Sequence, residues 1–181
     1  MTETGIFRLS ERVYRPWKNG GGQTAEIAVA PAGAGFEDFD WRISTALVAA
    51  SGPFSAFPGV DRVLTVLEGG AIALTVGDQE RRLDAASEPF AFSGDEPAAA
   101  LLEGPALLDF NVMVRRPLTA SVIRGPLDPG RGTEGQRARL ALLLEDRAGL
   151  VRLDLVDLAA AAPELVSALA GALVLDVLIA G

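Results

Sequence analysis

Short runs of apolar or alternating residues, broken by Gly, Pro, Asp or Ser, recur along most of the chain. They fall at residues 26–30, 41–48, 63–67, 71–76, 90–92, 107–114, 140–144, 151–155 and 173–179. Runs of this length and spacing predict β-strands joined by tight turns, and therefore an all-β sandwich or barrel. Only Pro163 to Ala170 has helical character, with a proline suited to a first helical turn. Strand alternation sorts the side chains by face. Trp41, Ile43 and Leu47 share one side of their strand, and Arg42 and Ser44 the other. The same parity aligns Arg62 with Glu68, and Asp109 with Asn111. Polar faces point either to solvent, the commoner outcome, or into a barrel lumen. Three separate strands that each offer arginine, hydroxyl, amide or carboxylate raise the weight of a lumen.

The 181 residues fit one compact domain or two small halves sharing a core. A polar, glycine-rich segment, Gly125 to Gly135, reads as an internal linker between a larger first part and a smaller second one. The two parts faintly echo each other: Val66-Leu67-Glu68-Gly69 with Leu108-Asp109-Phe110-Asn111-Val112 resembles Leu143-Leu144-Glu145-Asp146 with Leu175-Asp176-Val177-Leu178. Such an echo fits two related barrels better than one continuous sandwich. Residues 158–179 are apolar and alanine-rich, but Pro163, Glu164 and Asp176 interrupt them, which argues against a membrane span. Arg8, Glu11 and Arg12 break up the N-terminal stretch that a signal peptide would need. A cytoplasmic location is expected.

Composition narrows the chemistry. Acidic residues outnumber basic ones 24 to 16, and the net charge of −8 argues against nucleic acid or an anionic membrane as a partner. The chain has no Cys and no His. Their absence excludes a Ser-His-Asp triad, a Cys-His dyad, and thiolate or imidazole metal sites. Acid–base work is left to Asp, Glu, Tyr14 and the single lysine, Lys18. No transition metal and no cofactor are expected, and no spaced acidic loop suggests a calcium site.

Gly20-Gly21-Gly22-Gln23-Thr24-Ala25 formally satisfies a dinucleotide-binding turn, whose phosphate chemistry requires a strand before it and a helix after it. Arg15 to Asn19 precede it and the β-type run 26–31 follows, so the context fails. Two readings remain: a tight turn that needs positive φ, or close backbone approach to a ligand beside Trp17, Lys18 and Asn19. Lys18 stands alone against fifteen arginines, which singles it out for a site, although plain surface placement fits as well. Phe54, Phe57, Phe90 and Phe92 read as core, with Phe57-Pro58-Gly59 also suited to a pocket rim.

Several segments together resemble the HutD/Ves family in order and spacing. They are Pro16-Trp17-Lys18-Asn19-Gly20-Gly21-Gly22-Gln23-Thr24 with Glu26-Ile27; Phe39-Asp40-Trp41-Arg42-Ile43-Ser44; and Gly52-Pro53-Phe54-Ser55 with Phe57-Pro58-Gly59-Val60-Asp61-Arg62. Val66-Leu67-Glu68-Gly69, Glu88-Pro89-Phe90-Ala91-Phe92-Ser93-Gly94-Asp95 and Asp109-Phe110-Asn111-Val112-Met113-Val114-Arg115-Arg116 complete the set. The resemblance implies a cupin-type β-barrel fold, a bicupin with a smaller second barrel. Residues 1–118 would form the first barrel with its N-terminal strands, and 119–181 the second half packed on it. It also implies a link to histidine utilisation, in which a pathway intermediate is bound and catabolism moderated, and it attaches no catalytic residue. The family's motifs place ligand binding on Trp17, Lys18, Asn19, Arg42, Ser44, Phe57, Arg62, Glu68, Phe92 and Asn111. The ligand would be a small carboxylated metabolite: urocanate, formiminoglutamate or formylglutamate. Where metal cupins place histidines, this chain has Asp61, Arg62 and Glu96-Pro97-Ala98, so their metal chemistry does not carry over. The alternatives are a metal-independent isomerase or hydrolase using Glu68, Asp109 or Lys18, and a barrel filled by its own side chains. A homodimer is left open.

Overall fold

A computed structural model describes residues 4–181. Its elements are β1 (Ile6–Phe7), β2 (Arg15–Pro16), β3 (Gly22–Ala30), β4 (Trp41–Val48), β5 (Gly52–Phe54), β6 (Val60–Val76), β7 (Gln79–Leu83), β8 (Phe90–Ser93) and β9 (Ala98–Arg115). There follow β10 (Thr119–Pro126), β11 (Gln136–Leu143), β12 (Leu155–Asp157), α1 (Pro163–Ala168) and β13 (Leu173–Ala180). The all-β prediction holds. The described chain separates into an N-terminal unit, residues 13–116, and a C-terminal unit, residues 117–181 joined by the first residues up to Arg12.

In the N-terminal unit two long antiparallel strands, β6 and β9, form the spine. Their register runs from Val60↔Arg115 to Val76↔Ala98. Near one end they are flanked by β4, β3 and β2 on one side and β8 on the other; near the opposite end the flanking strands are β5 and β7. The spine bends where its register shifts, between Val66 and Glu68 and between Gly69 and Ala71. Glycine is required at the bend. A Cβ on Gly69 would sit 2.3 Å from the Ala106 carbonyl oxygen, and one on Gly70 2.2 Å from that of Pro105. The folded-over sheet encloses an apolar core that includes Val48, Leu64, Val66, Ile72, Leu74, Phe92, Ala100 and Leu107. Burying this face is the main drive for closing the barrel.

The C-terminal unit is one five-stranded antiparallel sheet in the order β1-β12-β11-β13-β10. The N-terminal strand belongs here because Ile6 and Phe7 pair with Val156 and Leu155, whereas the sequence reading put it with the first half. The predicted linker Gly125–Gly135 is likewise corrected: it lies inside this unit. Gly125 and Pro126 still pair with Val174 and Leu173. The loop beyond them is clamped by the buried Arg139, which donates to the carbonyls of Asp128 at 2.6 Å, Pro129 at 3.2 Å and Arg131. Arg139 also forms a two-pronged pair with Asp176, Nε–Oδ1 3.1 Å and Nη2–Oδ2 2.9 Å. Every nitrogen of that guanidinium is therefore engaged. No helix among the described residues is long and apolar enough to cross a membrane.

Candidate functional site

Directly opposed residues of antiparallel neighbours share a face, so the register fixes which side chains enter the barrel. Three rows cross β4, β9 and β6: Arg42–Met113–Arg62, Ser44–Asn111–Leu64 and Ala46–Asp109–Val66. Since Leu64 and Val66 are core, Arg42, Ser44, Arg62, Asp109 and Asn111 all face the lumen. All five are buried. Buried polar groups need partners, and how well each is satisfied separates scaffold from site.

Arg62 is the least satisfied. Its Nη2 donates to Asn111 Oδ1 at 3.1 Å and its Nη1 to the Ser55 carbonyl at 3.4 Å, while the buried Nε has no hydrogen-bond partner. The guanidinium carbon lies 5.1 Å from the Phe92 ring centre, 5.5 Å from Phe57 and 5.6 Å from Phe54, within cation–π range of all three. Burial lowers its pKa to about 10, opposed by the charge of Asp109. Asp109 is linked to it through Asn111, whose Nδ2 donates to Asp109 Oδ1 at 3.4 Å. Burial pushes the Asp109 carboxyl up to about 7, against the opposing pull of the Asn111 hydrogen bond, Arg62 and the Ala46 amide. The site therefore holds a cation whose nearest acid is driven towards its neutral form. That imbalance favours an anion.

Arg42 has a partner. Its Nη1 lies 3.0 Å from Glu26 Oε2, and its guanidinium carbon 4.0 Å from the centre of the Phe36 ring. Burial lowers its pKa and Glu26 opposes the shift. Phe57 packs on Phe36 with ring centres 5.9 Å apart, and Phe92 stacks on Phe90 at 5.8 Å. The Phe57 turn is fixed by backbone bonds to Gly94 and by Asp95, which accepts from the Gly59 amide and pairs with Arg116.

Trp17 contributes one step removed. Its Nε1 donates to Thr24 Oγ1 at 2.7 Å, and its ring meets Phe54 edge-on with centres 6.3 Å apart. Lys18 and Asn19 are exposed in the hairpin turn between β2 and β3. There Asn19 Oδ1 accepts from the Gly21 amide, and Gly20 has φ of 73°. The glycines thus make a turn, and the close approach they permit is internal, because a Cβ on Gly22 would sit 2.4 Å from the Leu47 carbonyl and 3.0 Å from the Trp17 ring. Glu68 is exposed at the bend, where the extra residue in β6 breaks the parity that aligned it with Arg62. The structure therefore brings Arg42, Ser44, Phe57, Arg62, Phe92 and Asn111 into one connected cluster and leaves Lys18, Asn19 and Glu68 outside the lumen-facing rows. Glu26, Phe36, Phe54 and Ser55 join the site without having been singled out for it. Glu26, Phe54 and Ser55 stand in segments that resemble the family, and Glu26 is the one charged residue of its strand; Phe36 lies in a loop outside those segments and carries no such signal. No cluster of three or more His, Cys, Asp or Glu that would hold a metal occurs among the described residues.

Comparison with known proteins adds the following. A family model described as HutD matches residues 10–162. The Protein Ves of Cronobacter sakazakii is 41% identical over 120 residues, 66% of this chain and 65% of its own length. A Pseudomonas putida protein described as an uncharacterized 21.2 kDa protein in the hutC 3' region is 40% identical over 113 residues, 62% of this chain and 59% of its own. The chain thus spans about three-fifths of the length of the curated relatives it matches. Among solved structures, HutD from Pseudomonas fluorescens SBW25 superposes with a TM-score of 0.72 at 31% identity, covering 99% of this chain and 94% of that one. PA5104 from Pseudomonas aeruginosa, described as a conserved protein of unknown function, gives 0.73 at 34%, covering 99% and 93%. The likeness to Ylba from E. coli, with a TM-score of 0.61 at 11% identity, is one of fold alone.

Proposed function

We propose that this chain, which belongs to the HutD family and has a cupin-type all-β fold, binds a small carboxylated metabolite in the lumen of its N-terminal unit and so moderates histidine utilisation in the cytoplasm. One observation carries the reading: the buried Arg62 guanidinium, framed by three phenylalanines, keeps an unmet donor at Nε. An arginine fork is suited to a carboxylate because two parallel N–H donors match its two oxygens. Asn111 and Ser44 beside it supply neutral hydrogen-bonding groups, and the aromatic rings supply apolar walls, a mixture common to small-ligand sites. The contrast with Arg139 supports the choice of unit. Both arginines are buried, but Arg139 has every nitrogen bonded to protein and nothing left for a ligand.

The family connection narrows the acids to urocanate, formiminoglutamate and formylglutamate. In a thermal-shift titration at fixed ionic strength, one of them should stabilise the protein saturably, by about 2.7 kcal/mol at a hundred times its dissociation constant. Its uncharged amide should stabilise less, and mass spectrometry should find the acid unconverted. No response to any of the three would remove the histidine-pathway assignment. A second reading, a metal-independent isomerase or hydrolase, is favoured by the buried Asp109 carboxyl held near neutrality, a poise suited to a general acid or base. Rapid conversion of the bound acid would decide for it.

A further inference from the structure

We infer that Glu26 is an internal counter-ion that occupies Arg42 in place of an anionic group of the ligand, so that an incoming acid displaces it. This inference rests on the ligand-binding reading above. Arg42 and Arg62 both register with Met113 and so lie in one row of the lumen face, two strand spacings or roughly 10 Å apart at the backbone. A continuous set of rings joins them: Phe36 covers Arg42, Phe57 packs on Phe36, and Arg62 lies over Phe57. One aromatic cluster thus joins two guanidiniums, one with an unmet donor and the other held by a carboxylate of the protein itself.

The two partners of that ion pair stand in unequal surroundings. The Arg42 side chain is 10% exposed and that of Glu26 40%. Once separated, the carboxylate regains water at little cost, whereas the guanidinium stays under Phe36 and needs another anion. An ion pair with one partner this wet is weak and exchangeable. The surroundings also allow the exchange. Glu26 adjoins a register shift in β3, between Glu26 and Ala28. Phe36 is largely exposed on a loop whose base is fixed by the buried Phe39 and by Arg115 Nε donating to the Phe39 carbonyl at 3.0 Å. A ligand carboxylate arriving at Arg42 therefore competes with Glu26 for the guanidinium nitrogen that Glu26 now faces. Glu26 sets which acids succeed, since only a group that reaches Arg42 while the rest of the molecule is held at Arg62 gains from its removal.

The test uses glutarate, which carries two carboxylates, and butyrate, which carries one, titrated calorimetrically at constant ionic strength into the full chain. The proteins are the parent, Glu26→Gln and Arg62→Met. Glutamine keeps the size and the acceptor of Glu26 and removes its charge. Glu26→Gln should bind glutarate about three- to fivefold more tightly than the parent, the range expected for losing a partly exposed ionic competitor, with a smaller change for butyrate. Glutarate binding seen in Glu26→Gln and not in the parent would support the inference in its strongest form. If the parent binds glutarate, Arg62→Met does not, and Glu26→Gln binds it no better than the parent, Glu26 is not a competitor and the binding reading stands without it. If neither acid binds the parent or Glu26→Gln, both the inference and the reading beneath it fall.

Discussion

Arg62→Met should abolish the stabilisation that the bound acid confers, raising its dissociation constant by at least about thirtyfold. Removing one member of a desolvated, hydrogen-bonded charge pair typically costs about 2–5 kcal/mol of binding, because the remaining charge is left buried and alone. Methionine preserves a long, apolar stem among Phe54, Phe57 and Phe92 and removes a buried cation whose Nε has no partner in the protein. The change leaves the Asn111 Oδ1 and the Ser55 carbonyl without their donor, but it strands no full charge, because the nearest acid, Asp109, is already driven towards its neutral form. The free variant should therefore lose at most about 3 kcal/mol in urea unfolding, the cost of unmet buried acceptors, while its thermal shift with ligand vanishes. A fully retained ligand response would place the binding site elsewhere. A large loss of stability in the free protein would make Arg62 part of the scaffold.

Asp109→Asn should flatten the dependence of stability on pH between about 4 and 7. In the folded protein burial raises the Asp109 carboxyl to about 7, whereas in the unfolded chain it titrates near 3.9. Between those values the native state holds the proton more tightly than the unfolded state, so stability falls as pH rises. The contribution is fully present below about pH 4 and lost by pH 8, and about three pH units correspond to at most about 4 kcal/mol. Asparagine stays neutral and retains an oxygen for the Asn111 amide. The variant should match the parent near pH 4 and exceed it by up to that amount at pH 8, read from urea unfolding at each pH. The window is unusually clear. The chain has no histidine to titrate within it. The exposed Asp95, held down to about 2 chiefly by its hydrogen bond from Arg116, loses its contribution only as pH falls below the ordinary carboxylate range. Equal pH profiles for variant and parent would mean that Asp109 is ionised at little cost, and the enzyme reading would lose its main support.

Where local pattern and tertiary contact agreed, the sequence was readable. The apolar alternation of residues 41–48 matches β4 end to end, and the parity that put Arg42 and Ser44 on one face, and Asp109 and Asn111 on another, is the parity that faces the lumen. It failed where a strand bends. Residues 63–67 and 71–76 read as two strands because Gly69 and Gly70 look like a turn; in the fold they are the bend of the single strand β6. The same bend defeats the alternation that paired Glu68 with Arg62. The first half of β9, Ala-rich and ending in Gly104-Pro105, carries little strand propensity and is held by its partners in β5 and β6. The pattern of residues 151–155 predicts a strand, but Asp154 accepts from the Val151 amide and Leu153 has φ of 74°, so a turn occupies most of that stretch and β12 begins only at Leu155. Lys18 stands out by rarity in the sequence, and the fold sets it in an exposed turn. Its turn is dictated by the asparagine and glycines that follow it.

The long β6–β9 spine also bears on the order in which the molecule assembles. Its pairing begins most cheaply at Val76↔Ala98, next to the connecting segment, and ends at Val60↔Arg115, where the intervening chain to be closed is longest. Ribbon growth in that direction reaches the pair Arg62↔Met113 almost last. The binding enclosure would then be nearly absent from the folding transition state, and changes to Arg62 or Asp109 would alter the unfolding limb of a chevron plot while leaving the folding limb in place. A bound acid would accordingly lengthen the lifetime of the native state without speeding its formation. Under the proposed binding of an acid, persistence would rise with occupancy even though the rate of supply from the unfolded chain stayed fixed.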